Sequence, residues 1–353
     1  MAAVTDPHAP AGIDSRAVTE WLGRHVRTLV PPLRFQLVAG GRSNLTFRVE
    51  DSDGRTVALR RPPLSHVLPT AHDMAREYRI LRALWPSPVP VPQPLGLCED
   101  AAVTGSAFYV MSFVDGLVLR DAAGAEQDFS ERTARHHVGM ALADTLAALH
   151  AVDVDAVGLG TLARREGYVE RQIRRWSAQF GQSCESGTPV ARKVAAVSRA
   201  LAARLPTSRE VTLVHGDFRL DNTVVRPDGT VAAVLDWELS TLGDPMADVG
   251  TFLDYWGLPE DGGPILGKVP ASALEGFPSR QDVLTRYATA SGRDVSTANY
   301  FMAFGYWRLA CILQGVYSRY AGGAAAGDPE SVDDLPATVV RLADLAATTL
   351  GTL

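Results

Sequence analysis

Lysine is almost absent from this chain. Of 34 lysines and arginines in 353 residues, only Lys193 and Lys268 are lysine. With so much alanine beside the arginine, this reads as a general compositional bias rather than a feature of one site. Cysteine is scarce too: Cys98, Cys184 and Cys311 are odd in number and far apart. That excludes a disulfide framework and a zinc spacing, so a reducing cytoplasm is the expected setting. Long apolar runs are missing, and none approaches the roughly 18 residues that would span a bilayer. The first residues, MAAVTDPHAPAG, lack the basic-then-apolar pattern of a secretory signal. Positive charge is not in excess either. The formal net charge is −6, whereas a nucleic-acid binder needs a basic face. A soluble cytoplasmic protein is expected, monomer or homodimer, with no nucleic-acid or membrane partner.

What is present suits a globular chain: 46% of residues are hydrophobic, and the length suggests two domains or one bilobal unit. Residues 1–12 read as a disordered tail. Asp14 or Ser15 caps a helix carrying Val18, Trp21, Leu22, Val26 and Leu29 at helical spacing. LRFQLVAGGRSNLTFRVEDSDGRTVALRRPP alternates as strands around a DSDG turn. Thr70 with Asp73 resembles a capping box for a helix with Ala71, Met74, Tyr78 and Leu81 on one stripe. PSPVPVPQP is a stiff connector, and LGLCED with AFYVMSFV reads as a second hairpin. Beyond Gly116 the pattern turns helical, over 130–150, 166–181, 189–204, 280–291, 297–320 and 334–348, around a short β region of LVHGDF, NTVV and VAAVLDWE.

The stretch LVHGDFRLDNTVV (213–225) sets polar residues between apolar flanks. Asp217 and Asn222 have the spacing Asp-x-x-x-x-Asn, and Asp236 follows at the end of the strand VAAVL. Phosphoryl transfer needs such a set: one carboxylate to orient the attacking hydroxyl and take its proton, and an amide oxygen and a second carboxylate to hold Mg²⁺ on the triphosphate. A hairpin turning at PDGT (227–230) brings the segments of Asn222 and Asp236 together. The other reading is a polar turn with buried, satisfied aspartates.

HGDFRLDN, VLDWE and GDPMADVG together resemble the aminoglycoside phosphotransferase-like (APH) kinase family, in particular the branch related to kinase domains fused to acyl-CoA dehydrogenases. The resemblance runs roughly from residue 30 to 320. It implies an α+β, bilobal protein-kinase-like fold: a small β-rich N-lobe over 1–113 and a larger, mainly helical C-lobe over 114–353. It implies ATP and Mg²⁺ as cofactors, Asp217 as the catalytic base, and Asn222 and Asp236 as metal ligands. Asp244 and Asp248 match an acidic pair that supports the catalytic loop; helix capping by Asp244 is the competing reading. His215 is expected to hold the loop by hydrogen bonds. In the N-lobe, AGGRSN (39–44) lets backbone N–H groups approach phosphates, making Gly41, Ser43 and Asn44 candidate nucleotide contacts. Glu77, one residue off the apolar stripe, matches the glutamate that anchors the strand cation. In YVMSFVDG (109–116), Ser112 and Val114 match the adenine-binding hinge.

One position departs from the pattern. V-A-x-K is here Val57-Ala58-Leu59-Arg60. Arginine keeps the charge and can pair in a fork with Glu77, but it is bulkier and differently hydrated. Two readings stand: an active kinase using Arg60 on the phosphates, or a nucleotide-binding pseudokinase. The acceptor is a small molecule bearing a hydroxyl. Arg171, Arg174 and Arg175 at i, i+3, i+4 suit an anionic, phosphate-bearing acceptor such as the 4-hydroxyacyl-CoA thioester of the dehydrogenase-linked relatives. A solvated arginine face is the alternative, and aminoglycoside or macrolide acceptors stay open. Arg308, in the apolar helix NYFMAFGYWRLACILQGVYSRY, either reaches the cleft or pairs with a buried carboxylate.

Overall fold

The computed structural model describes residues 10–40, 44–64, 73–207, 210–257, 269–322 and 334–351. The chain divides into two compact units. One holds Met1–Asp115 with Ala233–Glu238; the other holds Gly116–Ala232 with Leu239–Leu353. The segment 233–238, placed by the sequence in the C-terminal lobe, thus groups with the first unit.

The first unit contains α1 (Ser15–His25), β1 (Arg34–Gly40), β2 (Leu45–Glu50), β3 (Thr56–Arg61), α2 (Met74–Leu84), β4 (Pro94–Cys98), α3 (Ala101–Thr104) and β5 (Phe108–Ser112). The strands form one antiparallel sheet, ordered β1-β2-β3-β5-β4. Strand alternation sorts its residues onto two faces. Phe47, Val49, Val57, Leu59, Phe108 and Val110 join Trp21 and Leu22 of α1 in one apolar core. The tight β2–β3 turn is held by Asp51, whose carboxylate accepts from the N–H groups of Val30, Asp53 and Arg55. Register sets Arg60 beside Thr46 on one strand and Tyr109 on the other. These three therefore share the face opposite the α1 core.

Helix α2 differs from its sequence reading in two ways. Asp73 is the N-cap itself, accepting from Arg76 N–H at 2.9 Å; Thr70 lies outside the described residues. The buried stripe is Met74, Glu77, Ile80, Leu81 and Leu84, so Glu77 belongs to it rather than standing beside it.

The second unit contains α4 (Ala122–Asp128), α5 (Arg132–His150), α6 (Tyr168–Ser183), α7 (Pro189–Ala203), β6 (Thr212–Val214), β7 (Thr223–Val225), β8 (Val231–Val234, whose last two residues count with the first unit), β9 (Thr241–Gly243), α8 (Pro245–Tyr255), α9 (Arg280–Ser291), α10 (Ala298–Ala321) and α11 (Leu335–Gly351). Helix α10 is buried along most of its length and packs on α11, α8 and α6. Gly250 of α8 makes this packing possible: a Cβ there would stand 2.4 Å from the Phe301 carbonyl. Strands β6 and β9 pair antiparallel and carry the chain into and out of the candidate site. Among the described residues no helix is long and apolar enough to cross a membrane.

Candidate active site

In the second unit, β6 ends at Val214 and the chain turns through His215, Gly216 and Asp217 into a 3-10 turn, Leu220–Asn222. Gly216 has φ +86°, and a Cβ there would meet the Leu239 carbonyl oxygen at 2.6 Å, so only glycine serves this bend. Asn222 Nδ2 donates to the Asp217 carbonyl and to Asp217 Oδ2, both at 2.9 Å. Arg219 Nε donates to the same Oδ2 at 3.1 Å. Arg219 is itself held by Asp221 at 2.9 Å and lies over the Tyr255 ring at 4.8 Å. Asp217 is thereby gripped through one oxygen. Its Oδ1 and the Asn222 amide oxygen have no hydrogen-bond partner among the described residues.

Behind the loop, Asp248 of α8 accepts the N–H of His215 at 2.5 Å and of Gly216 at 2.8 Å. Asp244 instead caps α8, accepting from Met246 N–H at 2.9 Å. The two aspartates therefore divide the readings, Asp248 taking loop support and Asp244 helix capping. His150 Nε2 lies 3.3 Å from Asp248 and its Nδ1 2.8 Å from the Tyr287 hydroxyl. A carboxylate only accepts, so Nε2 carries the proton and Nδ1 accepts from Tyr287. Burial lowers the His150 pKa, with Asp248 pulling the other way. His215 is fully buried, and its Nδ1 accepts from Asp217 N–H at 3.3 Å.

Arg308 Nη2 donates to the Gly216 carbonyl and to Thr251 Oγ1, each at 3.0 Å. It meets a backbone carbonyl and a hydroxyl where the sequence expected an acceptor or a carboxylate. Arg171 and Arg174 line a groove of about 220 Å³ with Arg164, Glu166, Gly167 and Glu170 at the start of α6. Arg171 Nη2 donates to the Arg164 carbonyl at 2.7 Å, while Nη1 is buried without an acceptor. Burial, and then Arg164, lower its pKa. Arg175 is turned elsewhere, stacking on Trp176 at 5.0 Å.

The first unit has its own polar constellation. Arg60 Nε donates to Glu77 Oε2 at 3.0 Å and Nη2 to Asp236 Oδ1 at 2.5 Å, with Glu238 at 4.0 Å. Asn44 Nδ2 donates to Glu77 Oε1 and Glu238 Oε2, both at 3.0 Å. The Tyr109 hydroxyl donates to Glu77 Oε2 at 3.0 Å. Burial works against charge on Arg60, but Tyr109, Glu77, Asp236 and Glu238 outweigh it and raise its pKa. Burial pushes Glu77 up, while Arg60 pulls it down. Asp236 has φ +65°, the one non-glycine residue in that region among the described residues. Such strain clusters at functional sites. Its neighbours anchor it: Val234 N–H donates to the Pro90 carbonyl at 2.8 Å, and Trp237 Nε1 to the Val234 carbonyl at 3.1 Å. Ser112 exchanges two bonds with Gln93, giving its N–H to the Gln93 carbonyl and accepting at Oγ. Val114 is half-buried just before the unit boundary. Gly41 and Ser43 lie outside the described residues.

The sequence reading missed Tyr109, Glu238, Arg219 and His150. Tyr109 looked like one more hydrophobe in AFYVMSFV. Glu238 stood in the VLDWE motif itself, two residues from Asp236, and was the signal nearest to hand.

A model of the phosphotransferase enzyme family (APH) matches residues 34–282. The chain belongs to this family. A structure described as a putative aminoglycoside phosphotransferase from Ralstonia eutropha is 31% identical, with a TM-score of 0.78, covering 95% of this chain and 98% of that one. Among curated proteins, acyl-CoA dehydrogenase family member 10 of Mus musculus is 36% identical over 307 residues, 86% of this chain. The chain spans only 28% of that relative and 40% of the human family member 11. The fold is thus the α+β protein-kinase-like one, a small antiparallel sheet unit and a larger helical unit. The same fold, at 16% identity and a TM-score of 0.61, occurs in aminoglycoside phosphotransferase APH(4)-Ia in ternary complex with ADP and hygromycin B.

Proposed function

We propose that this chain is a small-molecule kinase that moves the γ-phosphoryl group of ATP onto a substrate hydroxyl. The observation that carries the reading is the grip of Asn222 and Arg219 on one oxygen of Asp217. It leaves Oδ1 to meet a hydroxyl. In the proposed step the acceptor oxygen bonds to the γ-phosphorus, the bond to the ADP oxygen breaks, and the hydroxyl proton passes to Asp217. No covalent enzyme intermediate is needed, because positioning and charge placement supply most of the acceleration.

Mg²⁺ requires hard oxygen donors and is commonly held by one or two protein ligands with the substrate phosphates. Asn222 offers an amide oxygen whose amino end is already fixed, and Asp236 offers a carboxylate on a strained residue; this donor set suits the ion. Among the described residues no group of three His, Cys, Asp or Glu side chains forms a ready cage. Bound there, the ion would offset charge on the β- and γ-phosphates. Arg60 is the proposed phosphate cation, Glu77 its anchor, and Ser112 and Val114 the proposed adenine contacts. Gly41 and Ser43 are the proposed phosphate-loop positions; Asn44, expected beside them, gives its amide to Glu77 and Glu238 instead.

For the acceptor we propose an anionic hydroxylated metabolite, with a 4-hydroxyacyl-CoA first. Arg164, Arg171 and Arg174 support this, since three guanidiniums outnumber Glu166 and Glu170 in the groove, and the Arg171 Nη1 has no acceptor among the described residues, which suits a phosphate. A second reading, nucleotide binding without transfer, draws on Arg60 Nη2 occupying an oxygen of Asp236 that the metal would need. The test is ADP release from Mg-ATP with 4-hydroxyacyl-CoA, free hydroxy acids, aminoglycosides and choline, with Asp217→Ala as control. Release stimulated by one acceptor and lost in the control supports the kinase and names its substrate class. Nucleotide binding without release under every acceptor favours the second reading.

A further inference from the structure

Glu77 receives more donors than an anchor for one cation needs. Its side chain is 2% exposed. Arg60 Nε and the Tyr109 hydroxyl converge on Oε2, and Asn44 Nδ2 takes Oε1 from the other side. The same Asn44 amino group also serves Glu238. Those two carboxylates dictate which way the amide points, because its Oδ1 is left buried with no hydrogen-bond partner among the described residues. Burial raises the Glu77 pKa, while Arg60 and Tyr109 pull it down; the three donors together fix the plane of its carboxyl group.

That plane matters because of what lies beyond it. A guanidinium is a rigid planar fork, whereas an ammonium is a compact point on a flexible stem. Arg60 uses two separate edges of its fork, Nε toward Glu77 and Nη2 toward Asp236. A lysine at position 60 would offer its three donors from a single atom in place of two edges set apart by the fork. The direction of the outer edge is set by the orientation of Glu77, and that orientation is set by Tyr109 and Asn44. Strand register makes the arrangement local: Tyr109 is the direct cross-strand neighbour of Arg60.

We infer that Tyr109 and Asn44 are positioning residues of an arginine-specific nucleotide site: they aim Glu77, and Glu77 aims Arg60 so that its outer edge stands at Asp236, where the phosphates and their metal are proposed to sit. The inference rests on the phosphotransfer reading above. It departs from a simple exchange of one cation for another, since the pocket is built around the fork and lysine would not restore it. Tyr109 acts through Glu77 and makes no contact with the nucleotide.

The test is calorimetric titration of AMP-PNP, with and without Mg²⁺, into the full chain, Tyr109→Phe, Arg60→Lys and the double variant. Tyr109→Phe removes a single O–H and keeps the ring. Each single variant is expected to weaken nucleotide binding about tenfold. The double variant is expected to match Arg60→Lys within about twofold, because both changes act through one path. The acceptor KM of Tyr109→Phe is expected to stay near the parent value, while its melting temperature falls, as loss of one donor to a buried carboxylate predicts. Asn44→Ala, which removes the donor on Oε1, is expected to repeat the pattern and decides the matter if Tyr109→Phe does not fold. Parent-like affinity in Tyr109→Phe or in Arg60→Lys, or fully additive losses in the double variant, overturns the inference while leaving the kinase reading intact. Failure of the parent chain to bind AMP-PNP overturns both, and needs no variant to see.

Discussion

The two carboxylate oxygens of Asp248 take the backbone N–H groups of His215 and Gly216, at 2.5 and 2.8 Å. One buried side chain of α8 thus holds the backbone that presents Asp217. A carboxylate suits this because both of its oxygens accept. An asparagine there would turn an amino group toward an N–H, leaving two donors facing each other. Asp248→Asn is therefore expected to cost about 2 kcal/mol of stability and to lower turnover. Asp244→Asn is expected to cost less than Asp248→Asn, since asparagine caps helices as well as aspartate does. Urea unfolding of the two variants checks this; equal losses would deny Asp248 its role in the loop.

His150, behind Asp248, gives the second unit a dependence on pH. Its folded pKa lies below the ordinary 6.5, mainly through burial. Below 6.5 the unfolded chain takes a proton that the folded one resists, so stability falls as pH drops from 6.5 toward the folded value. Asp248, whose own pKa is lowered by His150 against the effect of burial, adds a loss only below 3.8. The melting temperature is expected to fall between pH 7.5 and 5.5, and to fall less in His150→Gln. Identical slopes in parent and variant would remove His150 as the source.

Asp217→Ala is expected to lower phosphoryl transfer by about 10² to 10⁴, the range for a general base. Nucleotide affinity should stay within about twofold, because the side chain faces the acceptor in the proposed step. ADP release and titration on the same sample provide the check, and unchanged turnover would end the assignment.

Arg308 holds the Gly216 carbonyl from α10. Arg308→Met is expected to reduce kcat about tenfold with little change in acceptor KM, as loss of a charged hydrogen bond to the loop predicts. A rise in acceptor KM at constant kcat would instead make Arg308 an acceptor contact.

Much of this architecture was readable beforehand, and the exceptions have physical causes. Helix α9 was expected over 280–291 and spans those residues; α5, α6, α7, α10 and α11 fall within a few residues of expectation. Helix α8 was foreseen only through Asp244 as a possible cap, with no extent given to it. Nearly every residue of PMADVGTFLDY is buried, so no polar face marks a period of 3.6. Glu77 was set one place off its stripe because a glutamate is not counted as an inward residue until its partners are known. Asp73, expected as the third residue after a Thr70 cap, is itself the N-cap and accepts from Arg76 N–H.

By itself the sequence determined the order of elements, the spacing of Asp217, Asn222 and Asp236, and the identity of Arg60. Those depend on residues a few positions apart, where periodicity and turn chemistry act. Tertiary structure alone decided which groups meet: Asn44 with Glu77 across 33 positions, Gly216 with Arg308 across 92, Arg60 with Asp236 across 176. One of these partners, at Gly216, is a backbone carbonyl, and backbone groups are carried by every residue and marked by no sequence pattern. Only the return of the chain brings one of them to a waiting side chain.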